Sequence, residues 1–204
     1  FAVVGDLVYT QEQHGSEECV ICYEALTGKP VWKYADETAF LSVMGGNGPR
    51  TTPTVIDRYL FSLGATGILN CLDPRTGSRI WQRNILHDAG TSNLEWGMSG
   101  SPLVVDGMVI VNPGGKSGKS VIAYRETDGE IVWAAGETPA GYTAPRVETI
   151  DGVRQLVIFD GTGVMGMTLD SGKKLWRFPW VNQFQINVAQ PIVQEERYLF
   201  FGTG

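Results

Sequence analysis

Three stretches of this sequence hold residue types that could do chemistry. The first is Cys19-Val20-Ile21-Cys22, a CxxC pair of the kind that binds zinc or cycles between thiol and disulfide in other settings. The second runs from His87 to Trp96, where His87, Asp88, Asn93, Glu95 and Trp96 bring together an imidazole, two carboxylates, an amide and an indole. Two readings of it stand. Glu95 could act as a metal ligand or general base with Trp96 as a stacking plate, or the stretch is a solvated loop anchored by one tryptophan. The third, Gly114 to Ser120, has the glycine and lysine content of a phosphate loop. The position that such a loop reserves for its first glycine is Pro113, and no helical pattern follows, so it reads as a flexible connection.

Whether these groups can act depends on the elements that carry them. Cys19 and Cys22 fall in a short apolar run with strand character. Residues three apart on a strand point to opposite faces, which opposes chelation by both thiols. There is no second CxxC, and His14 and His87 are far apart in sequence. No metal site is therefore expected. With Cys71 the cysteine count is odd and supplies no disulfide framework.

Four segments align without gaps on a glycine and a tryptophan four residues beyond it: Cys22–Trp32, Cys71–Trp81, Ala123–Trp133 and Gly166–Trp176. The tryptophans are 49, 52 and 43 residues apart. A second mark is a proline that heads a strand, a tight turn and another strand. It recurs at Pro53, Pro102, Pro145 and Pro191, with spacings of 49, 43 and 46. Two independent marks at one period define an internal repeat. Each repeat reads as four short strands bounded by Gly, Asp and Pro; in the second they are expected at 52–56, 59–63, 68–72 and 78–83. No segment carries a helical period. Four strands per repeat at this period predict an all-β fold, a β-propeller of four-stranded antiparallel blades. The blades are expected at 1–34, 52–83, 101–135 and 144–178, with an incomplete one at 190–204, in a single domain over 1–204. Cys22 and Cys71 share a small-residue slot with Ala123 and Gly166 and are expected to be buried.

The Thr-Gly-x-x-x-Trp turn, with a small residue six before its glycine, resembles the tryptophan-docking motif of the quinoprotein dehydrogenase-like (PQQ-like) propellers. The resemblance extends to the non-enzymatic, BamB-like branch of that superfamily and covers essentially the whole chain. The acidic position of the motif holds Glu24 and Asp73 in two repeats but Arg125 and Thr168 in the others. Thr-Gly becomes Asp128-Gly129 and Ser171-Gly172. The resemblance implies that Gly28, Trp32, Gly77, Trp81, Gly129, Trp133, Gly172 and Trp176 fasten blades together, each indole packing near the glycine turn of a neighbouring blade. It implies a full ring of seven or eight blades, so the chain is expected to be about half of one, with a further Thr-Gly-x-x-x-Trp downstream of Gly204. It also implies a periplasmic or extracellular location.

In such a ring the long connections between blades gather on one rim and end near the central channel. Arg50, Glu95, Trp96, Tyr142 and Asn187 are the candidate contacts there for a protein partner or a small ligand. A net charge of −6 opposes nucleic acid, and no run of ~20 apolar residues is available to cross a bilayer. The expected function is a non-catalytic scaffold that binds a protein or ligand outside the cytoplasm, with no cofactor and no catalytic residue. The alternative is part of a dehydrogenase that uses pyrroloquinoline quinone (PQQ) and calcium. Dehydrogenases of that family carry adjacent cysteines over the quinone, and no two cysteines here are adjacent.

Overall fold

The structure is a computed structural model and describes residues 1–203. Gly204, the last residue of the turn expected to open another strand, lies outside the described residues. The first blade is β1 (Ala2–Val4), β2 (Leu7–His14), β3 (Glu17–Glu24) and β4 (Pro30–Asp36). The second is β5 (Thr54–Ile56), β6 (Tyr59–Leu63), β7 (Ile68–Leu72) and β8 (Arg79–Asn84). The third is β9 (Leu103–Val105), β10 (Met108–Val111), β11 (Val121–Arg125) and β12 (Ile131–Ala135). The fourth is β13 (Arg146–Ile150), β14 (Val153–Asp160), β15 (Gly163–Met167) and β16 (Lys174–Pro179), and β17 (Ile192–Gln194) pairs with β18 (Tyr198–Phe200) in a fifth, two-stranded sheet. Every sheet is an antiparallel meander in chain order. The chain forms part of a β-propeller.

From the second blade on, each innermost strand starts one residue after its proline, later than expected in the second, third and fourth blades. The residues before the prolines bond to the next blade instead. Thr52 N donates to Ser101 Oγ at 2.9 Å, and Gln190 Oε1 accepts from Ala144 N at 3.1 Å. One short helix also departs from the sequence reading. α1 (Ile85–Ala89) is a single turn in which Asn84 Oδ1 accepts from His87 N and Gly90 closes the end in the left-handed region at φ 66°. Five residues are too few to display a helical period.

The middle strands of the third and fourth blades are largely apolar on both faces because those blades are covered on both sides. Phe61, Leu63 and Trp81 of the second blade pack with Val109, Val111 and Tyr124 of the third. The alternate residues Met108 and Ile110 face the other way and pack with Leu156 and Ile158 of the fourth. This period of two is what a pleated strand imposes. Cys22, Cys71, Ala123 and Gly166 lie directly opposite Trp32, Trp81, Trp133 and Trp176 on the adjoining strand, and a β-bulge follows at each. The slot is small because the indole lies beside it; a Cβ on Gly166 would sit 2.4 Å from Cε2 of Trp176.

Three tryptophans reach the following blade. Trp32 lies against Gly77, Trp81 against Gly129 and Trp133 against Gly172, so close that an added Cβ would come within 2.5, 2.8 and 2.6 Å of the respective rings. Their indole nitrogens donate to Pro74 O, Glu126 O and Leu169 O at 3.0, 2.8 and 3.0 Å. Trp176 differs: its indole donates to Gln155 Oε1 within its own blade, and Gly28 faces open space. Among the described residues, these two members of the repeated set make no such contact between blades.

Glu18 on β3 adds a polar strut between the first two blades. Its carboxylate accepts from Ala65 N at 3.0 Å and from Thr66 Oγ1 at 2.7 Å. Burial raises its pKa above the ordinary value, outweighing these hydrogen bonds. The folded state therefore takes up this proton before the unfolded state does. Its ionisation lowers stability at neutral pH, and stability recovers as pH falls through the raised pKa toward the ordinary carboxylate value of about 4.3. Glu18→Gln should lack this recovery. The difference in melting temperature between the two proteins is expected to change between pH 7 and pH 5, and a constant difference would contradict it.

Candidate functional site at the channel rim

The connections between blades meet around a cavity of about 320 Å³ lined by Arg50, Trp96, Ser99, Tyr142, Ile186 and Val188. Arg50, Ser99, Tyr142 and Val188 occupy one repeat position, three residues before Pro53, Pro102, Pro145 and Pro191. The innermost strand begins just after the proline, so the end of the connection before it reaches the channel mouth once per blade.

The wall of the cavity is rigidly built. The rings of Trp96 and Tyr142 lie 5.8 Å apart at 47°. Ser99 Oγ donates to Tyr142 O at 2.9 Å, and Tyr142 N donates to Asn187 O at 2.9 Å. Burial is the main influence on the Tyr142 hydroxyl and raises its pKa, against a Trp96 backbone hydrogen bond and the Arg50 cation; the Glu95 charge adds to the rise. The phenol stays neutral at physiological pH. Arg50 Nη1 and Nη2 donate to Gly48 O and Gly46 O at 2.5 and 2.6 Å, and its guanidinium lies 4.8 Å from the centre of the Phe40 ring.

Two of the candidate contacts fall elsewhere. Asn187 is fully buried, and its amide donates to Asp160 O at 2.6 Å and accepts from Asn182 at 3.0 Å, so its neighbours Ile186 and Val188 face the cavity instead. Glu95 is exposed and outside the lining. The polar stretch before it is dispersed. Asp88 is held by Arg83 at 2.9 Å and by Tyr124 Oη at 2.9 Å, Asn93 Nδ2 donates to Ala65 O, and His87 points to solvent. Ile186 and Val188 were missed by sequence reasoning, and of the two Val188 had a signal. Counting back three from Pro191, as for the other prolines, would have found it.

Cys19, Cys22 and Cys71 are free and buried; burial pushes the Cys71 thiol up to about 12. The Gly114–Ser120 loop leads into β11, not a helix, and with Thr91 and Glu137 borders a wider cavity of about 760 Å³. The rim cavity does not suit a calcium-held quinone. Calcium takes six to eight oxygen ligands, usually including carboxylates. The only side-chain oxygens of the lining are the Ser99 and Tyr142 hydroxyls, with no carboxylate, and Ser99 already donates to a backbone carbonyl. Among the described residues no three His, Cys, Asp or Glu side chains converge as a metal site.

The PQQ-repeat family described as outer membrane protein assembly factor BamB matches residues 16–204. The BamB of Burkholderia pseudomallei is 25% identical over 189 residues, 86% of this chain and 40% of that protein. The BamB of Xanthomonas campestris pv. campestris is 31% identical over 92 residues, 45% of this chain and 22% of that protein. The chain thus spans less than half the length of these curated relatives. Among solved structures, the quinohemoprotein alcohol dehydrogenase from Comamonas testosteroni superposes with a TM-score of 0.70 at 16% identity, over 96% of this chain and 38% of that one, a likeness of fold alone.

Proposed function

The chain belongs to the BamB family of PQQ-repeat propellers, and from that premise we propose that it is a non-catalytic scaffold outside the cytoplasm that holds a protein partner of outer membrane protein assembly on its channel rim. The observation that carries this reading is the apolar surface of the rim. Leu41, Val43 and Met44 project from the connection between the first two blades and are 72% to fully exposed. Val181, Phe184 and Val188 on the connection after the fourth blade are 54% to 68% exposed. Ser42 Oγ and Trp96 Cδ1 both lie near Gly45, and Val188 lines the cavity that Trp96 also lines, so the two apolar loops flank one mouth. Clustered exposed apolar side chains around a largely apolar opening are a feature of protein-binding surfaces. The mismatch between the cavity's donors and a calcium-bound quinone favours this reading over a dehydrogenase.

A photo-crosslinking residue at Val43 or Phe184 of the full chain should capture an outer-membrane assembly protein in cells. The same residue at Asp57, in the turn between β5 and β6 on the opposite face, should not. Val43→Asp should weaken capture at Phe184 at least tenfold while leaving the melting temperature unchanged, because the side chain is fully exposed. Equal capture from both faces would count against the rim. Stoichiometric retention of PQQ with calcium, together with dye-linked alcohol oxidation, would replace the scaffold by the dehydrogenase.

A further inference from the structure

We propose that Arg50 is a positioning residue. Its guanidinium clamps the loop from Phe40 to Gly48 into one shape, so that Leu41, Val43 and Met44 are presented pre-formed to the partner; this rests on the scaffold reading above. The loop has no ladder to hold it and contains Gly45, Gly46 and Gly48, of which Gly46 and Gly48 sit at φ 77° and 87°. Such a segment has many alternative conformations, and ordering it only upon binding would weaken the complex. Exposed apolar side chains on a loose loop would also fold back onto the protein.

The loop is tied at several points, and three of the ties lead to Arg50. Phe40 N donates to Gln13 Oε1 at 2.9 Å, anchoring the start of the loop on the long β2–β3 hairpin. Gly48 N donates to Phe40 O at 3.0 Å and closes the loop. Inside it, Ser42 N donates to Asn47 Oδ1 at 3.1 Å and Gly45 N donates to Ser42 Oγ at 3.0 Å. Arg50 then spans both ends. One arm of its fork donates to Gly46 O, the other to Gly48 O, and its Cζ lies over the Phe40 ring. The loop packs closely on its supports, since a Cβ on Gly48 would lie 2.7 Å from Gln13 Cβ and one on Gly45 would lie 2.9 Å from Arg50 Nη2. A planar two-armed donor can bridge two carbonyls while stacking on a ring; a lysine ammonium, a single point on a flexible stem, cannot hold all three. Arg50 thereby turns a glycine-rich connection into a rigid apolar projection.

The experiment compares the full chain with its Arg50→Lys and Arg50→Ala variants, and with Gln13→Ala as an independent release of the same loop. Amide hydrogen exchange at Ser42, Gly45 and Gly48 should accelerate about tenfold in each variant, the scale expected for losing a charge-assisted hydrogen bond, while exchange in β6 and β10 and the melting temperature stay unchanged. Capture through a photo-crosslinker at Val43 should fall in the same order as the loop loosens. Unchanged exchange in both Arg50 variants, or capture that persists undiminished when exchange has accelerated, would overturn the clamp. If the unaltered protein captures no discrete partner at Val43, the scaffold reading fails, and the exchange measurement still decides whether Arg50 orders the loop.

Discussion

Trp81→Ala is expected to destabilise the chain by about 3–5 kcal/mol, the range for truncating a buried aromatic side chain. Trp81 is 8% exposed and sits 5.8 Å from the ring of Phe61 and 6.5 Å from that of Tyr124, so its loss opens the seam between the second and third blades. Its indole hydrogen bond to Glu126 O disappears as well. Trp96→Ala should cost much less, because that ring is only partly buried on a cavity wall. Gly129→Ala tests the same contact from the other side. Gly129 has φ 73°, and a Cβ there would lie 2.8 Å from the Trp81 ring, so alanine meets both backbone strain and overpacking, together about 2–4 kcal/mol. In the Trp81→Ala background the steric part should vanish and the strain remain. Denaturant unfolding of the two single variants and the double variant measures this coupling. Additive costs, or equal shifts for Trp81→Ala and Trp96→Ala, would deny Trp81 its role between blades.

Asp160→Ala is the second substitution expected to be severe, again about 3–5 kcal/mol, because it leaves a cation without its partner in a buried setting. Asp160 is fully buried, and Arg177 is 20% exposed. The carboxylate accepts from Arg177 Nη1 and Nη2 at 2.6 and 3.1 Å and from Thr162 N and Oγ1 at 2.7 and 3.0 Å. Removing Arg177 as well, with Asp160→Ala and Arg177→Met together, should recover much of the loss, since no uncompensated charge then remains. The site is tied to the rim. Asp160 O accepts from Asn187 Nδ2, which fixes the loop that brings Ile186 and Val188 to the cavity. Alanine keeps that main-chain carbonyl, so capture of a partner at Phe184 should survive Asp160→Ala as long as the protein stays folded. A single variant within about 1 kcal/mol of the parent would mean that water replaces the carboxylate at no cost, against the buried-pair argument.

The amino-acid sequence alone determines the fold class. A propeller repeats one contact pattern blade after blade, so its marks recur along the chain: the small slot opposite the indole at Cys22, Cys71, Ala123 and Gly166, and the proline that opens each innermost strand. Strand content was legible for the same reason, because burial on both faces makes β10 continuously apolar and β6 apolar except at Ser62. The ends of the inter-blade connections also fell within reach, because the chain just before a strand-opening proline reaches the channel mouth once per blade. Arg50 and Tyr142 were found in this way.

What only the tertiary structure decided lies inside the connections, which differ in length and have no period. That Asn187 turns inward depended on Asp160 O, a partner 27 residues away that satisfies its amide. That Arg50 grips two glycine carbonyls and a phenyl ring, in addition to lining a cavity, depended on how its loop closes on itself. α1 formed because Asn84 and Gly90 cap a single turn, too short to leave a pattern. Trp176 carries the same motif as Trp81 yet bonds to Gln155, because a motif specifies a side chain and its turn but not the surface that meets it. Repetition writes the contacts between blades into the sequence many times over, whereas each loop contact is made once, between residues distant in the chain, and is set only when the folded blades bring them together.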